Sequence, residues 1–341
     1  MKINIKSSKN LTLFIIMMVI FVMLSIAMPS KFLTGINLQS MASQFPEFGL
    51  LALAMMMAMI TGGIDLSVVS ISNFTGVIAA LILSGSVESS MPAGLAILFA
   101  VLAVVAISIL CGLVNGLLIA GIGVPPILAT LGTQGLFLGL AIVITEGHSV
   151  SGFPEVFMGL GSGTVVGIPV PFIIFVIVAF LVSVLLNRTR QGFNMYMVGS
   201  NPTVSKFSGV NNTKVLINTY VLTAVLAGLA SLIMISRANS MRPGYGTAYL
   251  LQAILVAVLG GTDPDGGFGT VKGLVMGIII LQITQSGLNI MSFSPFFKKF
   301  IWGFALLAIM VINFLLHKYN ERKRVMEMNK LKTAAQTAGQ I

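Results

Sequence analysis

Long apolar runs, most of about 20 residues, follow one another along nearly the whole chain and are parted by short polar breaks. Runs of that length suit helices crossing a bilayer. A backbone in lipid must pair its own N–H and C=O groups, and only helices or closed barrels do so. The runs are too long for barrel strands. Composition agrees, since 56% of the 341 residues are hydrophobic and 8% charged, against about 25% charged in a soluble domain. So few charges do not cover a water-facing surface of this size. The fold class is an all-α polytopic integral membrane protein. Helices are expected near 11–28, 47–62, 66–84, 92–120, 126–146, 171–187, 214–236, 248–260, 270–289 and 297–316. These make about ten transmembrane helices, or eight full spans with two partial ones. Residues 64–73 are partly polar, and 248–260 is too short to cross unless it is re-entrant or buried in protein.

The net charge of +10 would suggest nucleic acid in a soluble chain, but here the basic residues sit at segment ends. There they report orientation. Fourteen of the 19 fall on one side: Lys2, Lys6, Lys9, Arg188, Arg190, Lys206, Lys214, Lys272 and six in the tail. Lys31, Arg237, Arg242, Lys298 and Lys299 fall on the other. Both termini are therefore expected in the cytoplasm. The first segment has the lysines and apolar run of a signal peptide, but its run of about 18 residues exceeds a usual signal core, and it reads as a retained anchor. Residues 1–316 are expected to form one membrane domain, with an outer polar stretch at His148–Pro171, an inner loop at 187–213 and a basic cytoplasmic tail at 317–341.

Four patterns stand out between the spans. In Thr61-Gly62-Gly63-Ile64-Asp65-Leu66-Ser67, two glycines end one helix and Asp65 with Ser67 can cap the next. A carboxylate at such a break is a candidate for function as well as a cap. Gly260-Gly261-Thr262-Asp263-Pro264-Asp265-Gly266-Gly267 resembles a phosphate loop in glycine spacing only. Gly267 and Phe268 stand where that motif needs Lys and Ser or Thr. It reads as a tight turn, with a direct pathway role as the alternative. In Asn201-Pro202-Thr203-Val204-Ser205-Lys206-Phe207-Ser208-Gly209, Asn201 suits the N-cap, Pro202 the first helical position and Gly209 the stop. A short capped helix there can be gripped by a partner, whereas Val204 and Phe207 alone offer little to a bilayer surface. Glycines four apart, Gly112 with Gly116, Gly135 with Gly139 and Gly273 with Gly277, suit close helix packing.

Enzyme signatures are absent. Cys111 is the single cysteine, in an apolar run, which excludes a disulfide framework within the chain. His148 and His317 are too few and too scattered for a metal site or a triad. One Trp and five Tyr give few platforms for a tight sugar site. No catalytic or metal-binding residue is expected.

The order of the motifs resembles the permease subunits of ribose-type, simple-sugar ABC importers. Ala58-Met59-Ile60-Thr61-Gly62-Gly63-Ile64-Asp65-Leu66-Ser67-Val68 is similar to their signature. Gly112-Leu113-Val114-Asn115-Gly116, Pro125-Pro126-Ile127-Leu128-Ala129-Thr130-Leu131-Gly132, Val198-Gly199-Ser200-Asn201 and Val258-Leu259-Gly260-Gly261-Thr262 follow in the same order, over roughly residues 40–315. The resemblance implies a multi-pass subunit of a bacterial inner membrane. It would act with a second permease subunit, cytoplasmic ABC ATPases that carry the ATP and Mg, and an extracytoplasmic sugar-binding protein. This chain itself would bind no cofactor and no nucleic acid, and lipid would surround it. The resemblance also implies that Asn201–Ser208 is the ATPase-coupling helix. Asp65, Ser67, Asn73, Thr130, Thr133 and Gln134 are candidates for the translocation path, with helix breaks at Gly62, Gly63, Gly260 and Gly261. Val69, where the family has Gly, and the acidic Asp263-Pro264-Asp265 turn fit a divergent substrate such as another sugar or autoinducer-2. Two other classes remain open: a secondary carrier coupled to ions through Asp65, and a membrane scaffold or receptor.

Overall fold

The computed structural model describes residues 5–88, 91–311 and 315. Lys2 and the tail at 317–341, with His317, lie outside the described residues. The helices are α1 (Ile5–Ala27), α2 (Pro29–Phe32), α3 (Gly35–Ile60), α4 (Val68–Glu88), α5 (Ala93–Gly116), which continues as a π-helical turn to Ile122, and α6 (Pro126–Thr145). They continue as α7 (Glu155–Ser162), α8 (Val170–Arg188), α9 (Arg190–Ser200), α10 (Pro202–Phe207), α11 (Asn212–Ala238), α12 (Ala248–Leu259), α13 (Val271–Ile290) and α14 (295–311). Among the described residues the chain is all-α apart from two small antiparallel ladders. One pairs Val150–Ser151 with Ser240–Met241, the other Thr164–Val165 with Ile168–Pro169.

Each stretch expected to be helical overlaps a helix among the described residues, yet the number of full crossings is smaller than expected. Seven helices among the described residues are long and apolar enough to cross a membrane: α3, α4, α5 with its extension, α6, α8, α11 and α13. The apolar part of α1 is shorter, at Leu11–Ala27, and α12 has 12 residues. At 1.5 Å per residue α12 reaches about 18 Å, against roughly 30 Å of hydrocarbon. It is held inside the protein by a buried flank that includes Gln252, Leu255 and Val256. The expected start of the second helix also moves, from 47 to Gly35, because α3 opens with a polar stretch that is helical nonetheless.

Helix α3 is the centre. Every residue from Phe45 to Ile60 is buried, and from Phe48 onward the helix is apolar on all sides and has neighbours on all sides. Helices α11, α12, α8 and α13 pack around it, and α11 also packs on α5 and α4. By contrast α5, α6 and α8 expose apolar faces, including Leu110, Leu128, Val143 and Phe180. Such faces suit lipid or another apolar chain.

The small-residue pairs divide. A Cβ at Gly112 would lie 2.5 Å from Val221 Cα, and one at Gly116 would lie 2.8 Å from Ile217 Cα, so α5 meets α11 backbone to backbone. Gly277 meets the Val256 carbonyl oxygen in the same way, 2.9 Å from the added Cβ. Gly135 and Gly139 meet nothing within 4 Å and do not bring two described helices together. Gly112→Leu is therefore expected to lower stability by about 1–3 kcal/mol through overpacking. Gly135→Leu should leave the melting midpoint unchanged or raise it, since it adds helix propensity in open space. Thermal unfolding of the detergent-solubilised variants checks this; equal losses would contradict the packing.

Candidate functional site

The break after α3 turns back onto that helix through hydrogen bonds. Thr61 N and Oγ1 both donate to the Ala58 carbonyl, at 3.0 and 2.8 Å, and Gly62 N donates to Met59 O at 2.9 Å. Gly62 stands at φ +82°, a conformation natural to glycine. Asp65 Oδ1 then accepts from Ser67 N at 3.0 Å and from Ser67 Oγ at 2.6 Å, which caps α4. Its Oδ2 accepts from Thr223 Oγ1 of α11 at 3.1 Å.

From there a buried chain of polar groups crosses three helices. Asn115 Nδ2 donates to Ser67 Oγ at 2.8 Å, and Thr133 Oγ1 donates to Asn115 Oδ1 at 2.7 Å. Thr130 Oγ1 lies 3.1 Å from the Ile64 carbonyl oxygen. Asp65, Ser67, Thr130 and Thr133 thus belong to one network, with Asn115 and Thr223 as added members. Asn115 was visible as a lone amide in an apolar run; Thr223 carries no such signal, because threonine hydroxyls are common in spanning helices and bond their own helix. Asn73 and Gln134 stand apart. Asn73 donates to Val69 O and Tyr245 O, at 2.9 and 2.8 Å, and its Oδ1 has no partner among the described residues. Gln134 is half-buried and makes none of these bonds.

The end of α9, which leads into the loop helix α10, joins this break to the second glycine-rich turn. Asn201 Oδ1 accepts from Thr203 N and Val204 N, both at 3.0 Å; Pro202 takes the first helical position, and Gly209 follows at φ +80°. Asn212 Nδ2 donates to the Pro202 carbonyl at 2.7 Å, and Ser205 Oγ to Asn212 Oδ1 at 2.9 Å, so α10 is fixed to the start of α11. Val204 and Phe207 project outward, the latter 88% exposed, and Lys206 stands between them in sequence. Just before α10, a Cβ at Gly199 would overlap the Ile60 carbonyl oxygen and lie 2.6 Å from Gly267 N. Gly267 N donates to that same carbonyl at 2.8 Å, and Tyr196 OH to Gly269 O at 2.7 Å. The end of α9 is wedged between the break at 61–67 and the turn at 260–270. Gly261 stands at φ +85°, and a Cβ at Gly260 would lie 2.7 Å from Leu274 Cα, so these two glycines set the α12–α13 junction.

A cavity of about 240 Å³ opens between the break at 61–67 and the start of α10, lined among others by Thr61, Gly63, Pro126, Pro202, Asn212 and Tyr220. The Tyr220 hydroxyl is buried and has no partner among the described residues. Gly63 makes room for it: a Cβ there would lie 2.5 Å from that oxygen.

A second buried carboxylate escaped the sequence reading. Glu47 of α3 is fully buried and pairs with Arg237 Nε at the end of α11. Tyr249 OH of α12 donates to its other oxygen at 2.7 Å. The pair is separated by 190 positions in sequence. The usable signal was the polar face Ser40, Ser43, Gln44 and Glu47 at helical spacing. Among the described residues no group of His, Cys, Asp and Glu is placed to hold a metal ion.

Comparison with known proteins bears on this geometry. The profile of a family described as branched-chain amino acid transport system / permease component matches residues 37–310. The ribose import permease of Bacillus subtilis (strain 168) is 35% identical over 190 residues, which are 55% of this chain and 59% of that protein. The D-allose transport system permease of Escherichia coli (strain K12) is 32% identical over 196 residues, 58% of this chain and 60% of that protein. The autoinducer 2 import system permease of Yersinia enterocolitica is 30% identical over 215 residues, 59% and 65% of the two chains. The matches thus span less than two thirds of each relative's length. No solved structure matches.

The network around Asp65 makes a stability prediction. Asp65→Ala leaves Ser67 N and Oγ without their acceptor, whereas Thr223 Oγ1 keeps the Tyr220 carbonyl oxygen at 2.9 Å; the change should cost about 1–3 kcal/mol for each buried group left unpaired. In the Thr223→Val background the same change should cost less, because the two residues share one bond. A double-mutant cycle of detergent melting midpoints measures this; strict additivity would dissolve the proposed link between the break and α11.

Proposed function

The chain belongs to the family of branched-chain amino acid transport system permease components, and from that premise we propose that it is the membrane-spanning subunit of an ATP-binding-cassette importer for a simple sugar of the ribose type. The names of similar proteins, for ribose, D-allose and autoinducer 2, support a small polyhydroxylated solute. Autoinducer 2 or a comparable polar solute is the alternative cargo for the same machinery. The setting is a bacterial cytoplasmic membrane with both termini inside, supported by the placing of lysine and arginine. ATP and Mg belong to separate ATPase subunits, a second permease subunit completes the passage, and an extracytoplasmic binding protein delivers the solute.

The observation that carries this reading is the seating of α9 and α10. Helix α10 offers Val204 and Phe207 to the cytoplasm and is anchored by Asn212. It is continuous with Gly199, which touches both glycine-rich turns at backbone distance. A push on α10 by an ATPase therefore reaches the ends of α3 and α12 through backbone, with no flexible side chain between. The Tyr220 cavity lies directly beside that joint and is placed to serve as the inner mouth of the passage. Asp65, Ser67, Thr130 and Thr133 then stabilise the wall of the passage.

An ion-coupled carrier needs a carboxylate that exchanges its partners with each cycle. Asp65 accepts three short-range bonds from Ser67 and Thr223 and is fully buried, which suits a fixed clamp better.

Pro202→Asp combined with Phe207→Glu is expected to abolish ATP-driven uptake while the subunit still inserts. Gly199→Val should retain the ATPase on co-purification yet uncouple hydrolysis from uptake. Uptake and ATPase assays on reconstituted complexes check both; normal coupled uptake by either variant would sink the coupling assignment.

A further inference from the structure

Far from α10, at the other end of α3, a cleft of about 340 Å³, with polar side chains of α3 and the apolar Ile36 in its walls, lies against the Glu47–Arg237 pair. It starts 16 to 24 residues before Ile60 along α3, which at 1.5 Å per residue is about 24–36 Å from the joint with α9. Its walls carry Gln39, Ser40, Ser43 and Gln44 of α3, Thr164 of the hairpin after α7, and Arg237. We infer that this cleft is a binding site for a neutral, polyhydroxylated small solute on the extracytoplasmic face of the subunit; its side of the membrane and the sugar class rest on the function proposed above.

The chemistry of the walls selects that ligand. Positions 40, 43, 44 and 47 share one face of α3, so the polar lining of the cleft leads directly to the buried carboxylate. Glu47 lies at 0% exposure and holds the Arg237 guanidinium at the wall through Nε, while Tyr249 occupies its second oxygen. Tyr245 also shares a side-chain hydrogen bond with the guanidinium, whose remaining N–H donors stand in a fixed fork for hydroxyl oxygens. Its charge is already matched by Glu47, so an anion entering the cleft would have to compete with a buried carboxylate, and a cation would meet no free one. Ser43 Oγ donates to the Gln39 carbonyl of its own helix, and Gln44 Nε2 to Ser40 Oγ at 2.6 Å. These bonds orient the Gln44 side chain, whose carbonyl oxygen remains as an acceptor. The cleft thus presents amides, hydroxyls and a neutralised guanidinium, both donors and acceptors, with no aromatic wall. That set matches a monosaccharide, and the volume lies at the small end of the roughly 300–1,000 Å³ of ligand pockets. Weak binding by such a set suits a station that must also let go.

The test uses the full chain in detergent with Cys111→Ser, which removes the one native thiol, and Thr164→Cys as the reporter for a water-soluble maleimide. D-ribose or D-allose at four times its Kd should slow labelling about fivefold by occupancy, and inorganic phosphate should not slow it. Gln44→Leu, and separately Gln39→Leu, should abolish the protection while Tm stays near that of the parent. Absence of protection by either sugar, protection that survives both glutamine variants, or protection by phosphate in place of sugar would each overturn the site. Transport keeps this separate from the importer reading. Protection that persists where Gly199→Val has lost uptake supports the site independently. ATP-driven uptake by a chain that shows no protection overturns the site and leaves the importer standing.

Discussion

A backbone that leaves the helical ladder in an apolar solvent must find new partners for the N–H and C=O groups it frees, and the break at 61–67 is where this chain meets that demand. Thr61 and Gly62 turn back onto α3, Ser67 N goes to Asp65, and the Ile64 and Ile60 carbonyls receive Thr130 and Gly267. Each partner comes from a different part of the fold. The turn therefore gathers α4, α5, α6 and α11 through Asp65 and Asn115, and the α12–α13 junction through Gly267. Without these partners the central helix would end in lipid with orphaned polar groups, each costing several kcal/mol, or about that order, in hydrocarbon.

The two ends of α3 carry different chemistry. At the Ile60 end, contacts are between backbones and need glycine, which gives a stiff joint against α9. At the Gly35 end the helix is polar on one face and leads to the ion pair of Glu47 with Arg237. Between them lies a run of Leu, Ala and Met that is buried throughout. A helix so enclosed has little freedom to bend on its own. Movement imposed at one end is then best carried as displacement of the whole element, which is the kind of transmission a subunit driven from outside requires.

Much of this was legible in the residues. Apolar runs located every major helix, and Asn201, Pro202 and Gly209 marked α10 to the residue, because capping is local chemistry. The glycine pairs on α5 and α13 were also readable as packing. What was not legible depended on partners distant in sequence. Glu47 looked like one acidic residue near the start of an apolar run, and nothing in the local pattern tied it to Arg237. The polar start of α3 hid twelve helical residues, because hydropathy alone sees no reason for Gln39 or Gln44 to lie in a buried-side helix. Gly199 gave no sign that it would touch two turns at once, and Gly135 with Gly139 followed the packing pattern of Gly112 with Gly116 without meeting any described neighbour.

A fixed clamp at Asp65, with energy entering through the α9–α10 joint as proposed above, ties transport to ATP and not to an ion gradient. The most direct measurement is uptake of labelled D-ribose or D-allose into sealed proteoliposomes that contain this chain with a candidate ABC ATPase and solute-binding protein, with ATP and ion gradients varied independently. The account predicts uptake that requires hydrolysable ATP and is unaffected when an uncoupler collapses the gradients. Uptake that proceeds without ATP and vanishes with the uncoupler would contradict it.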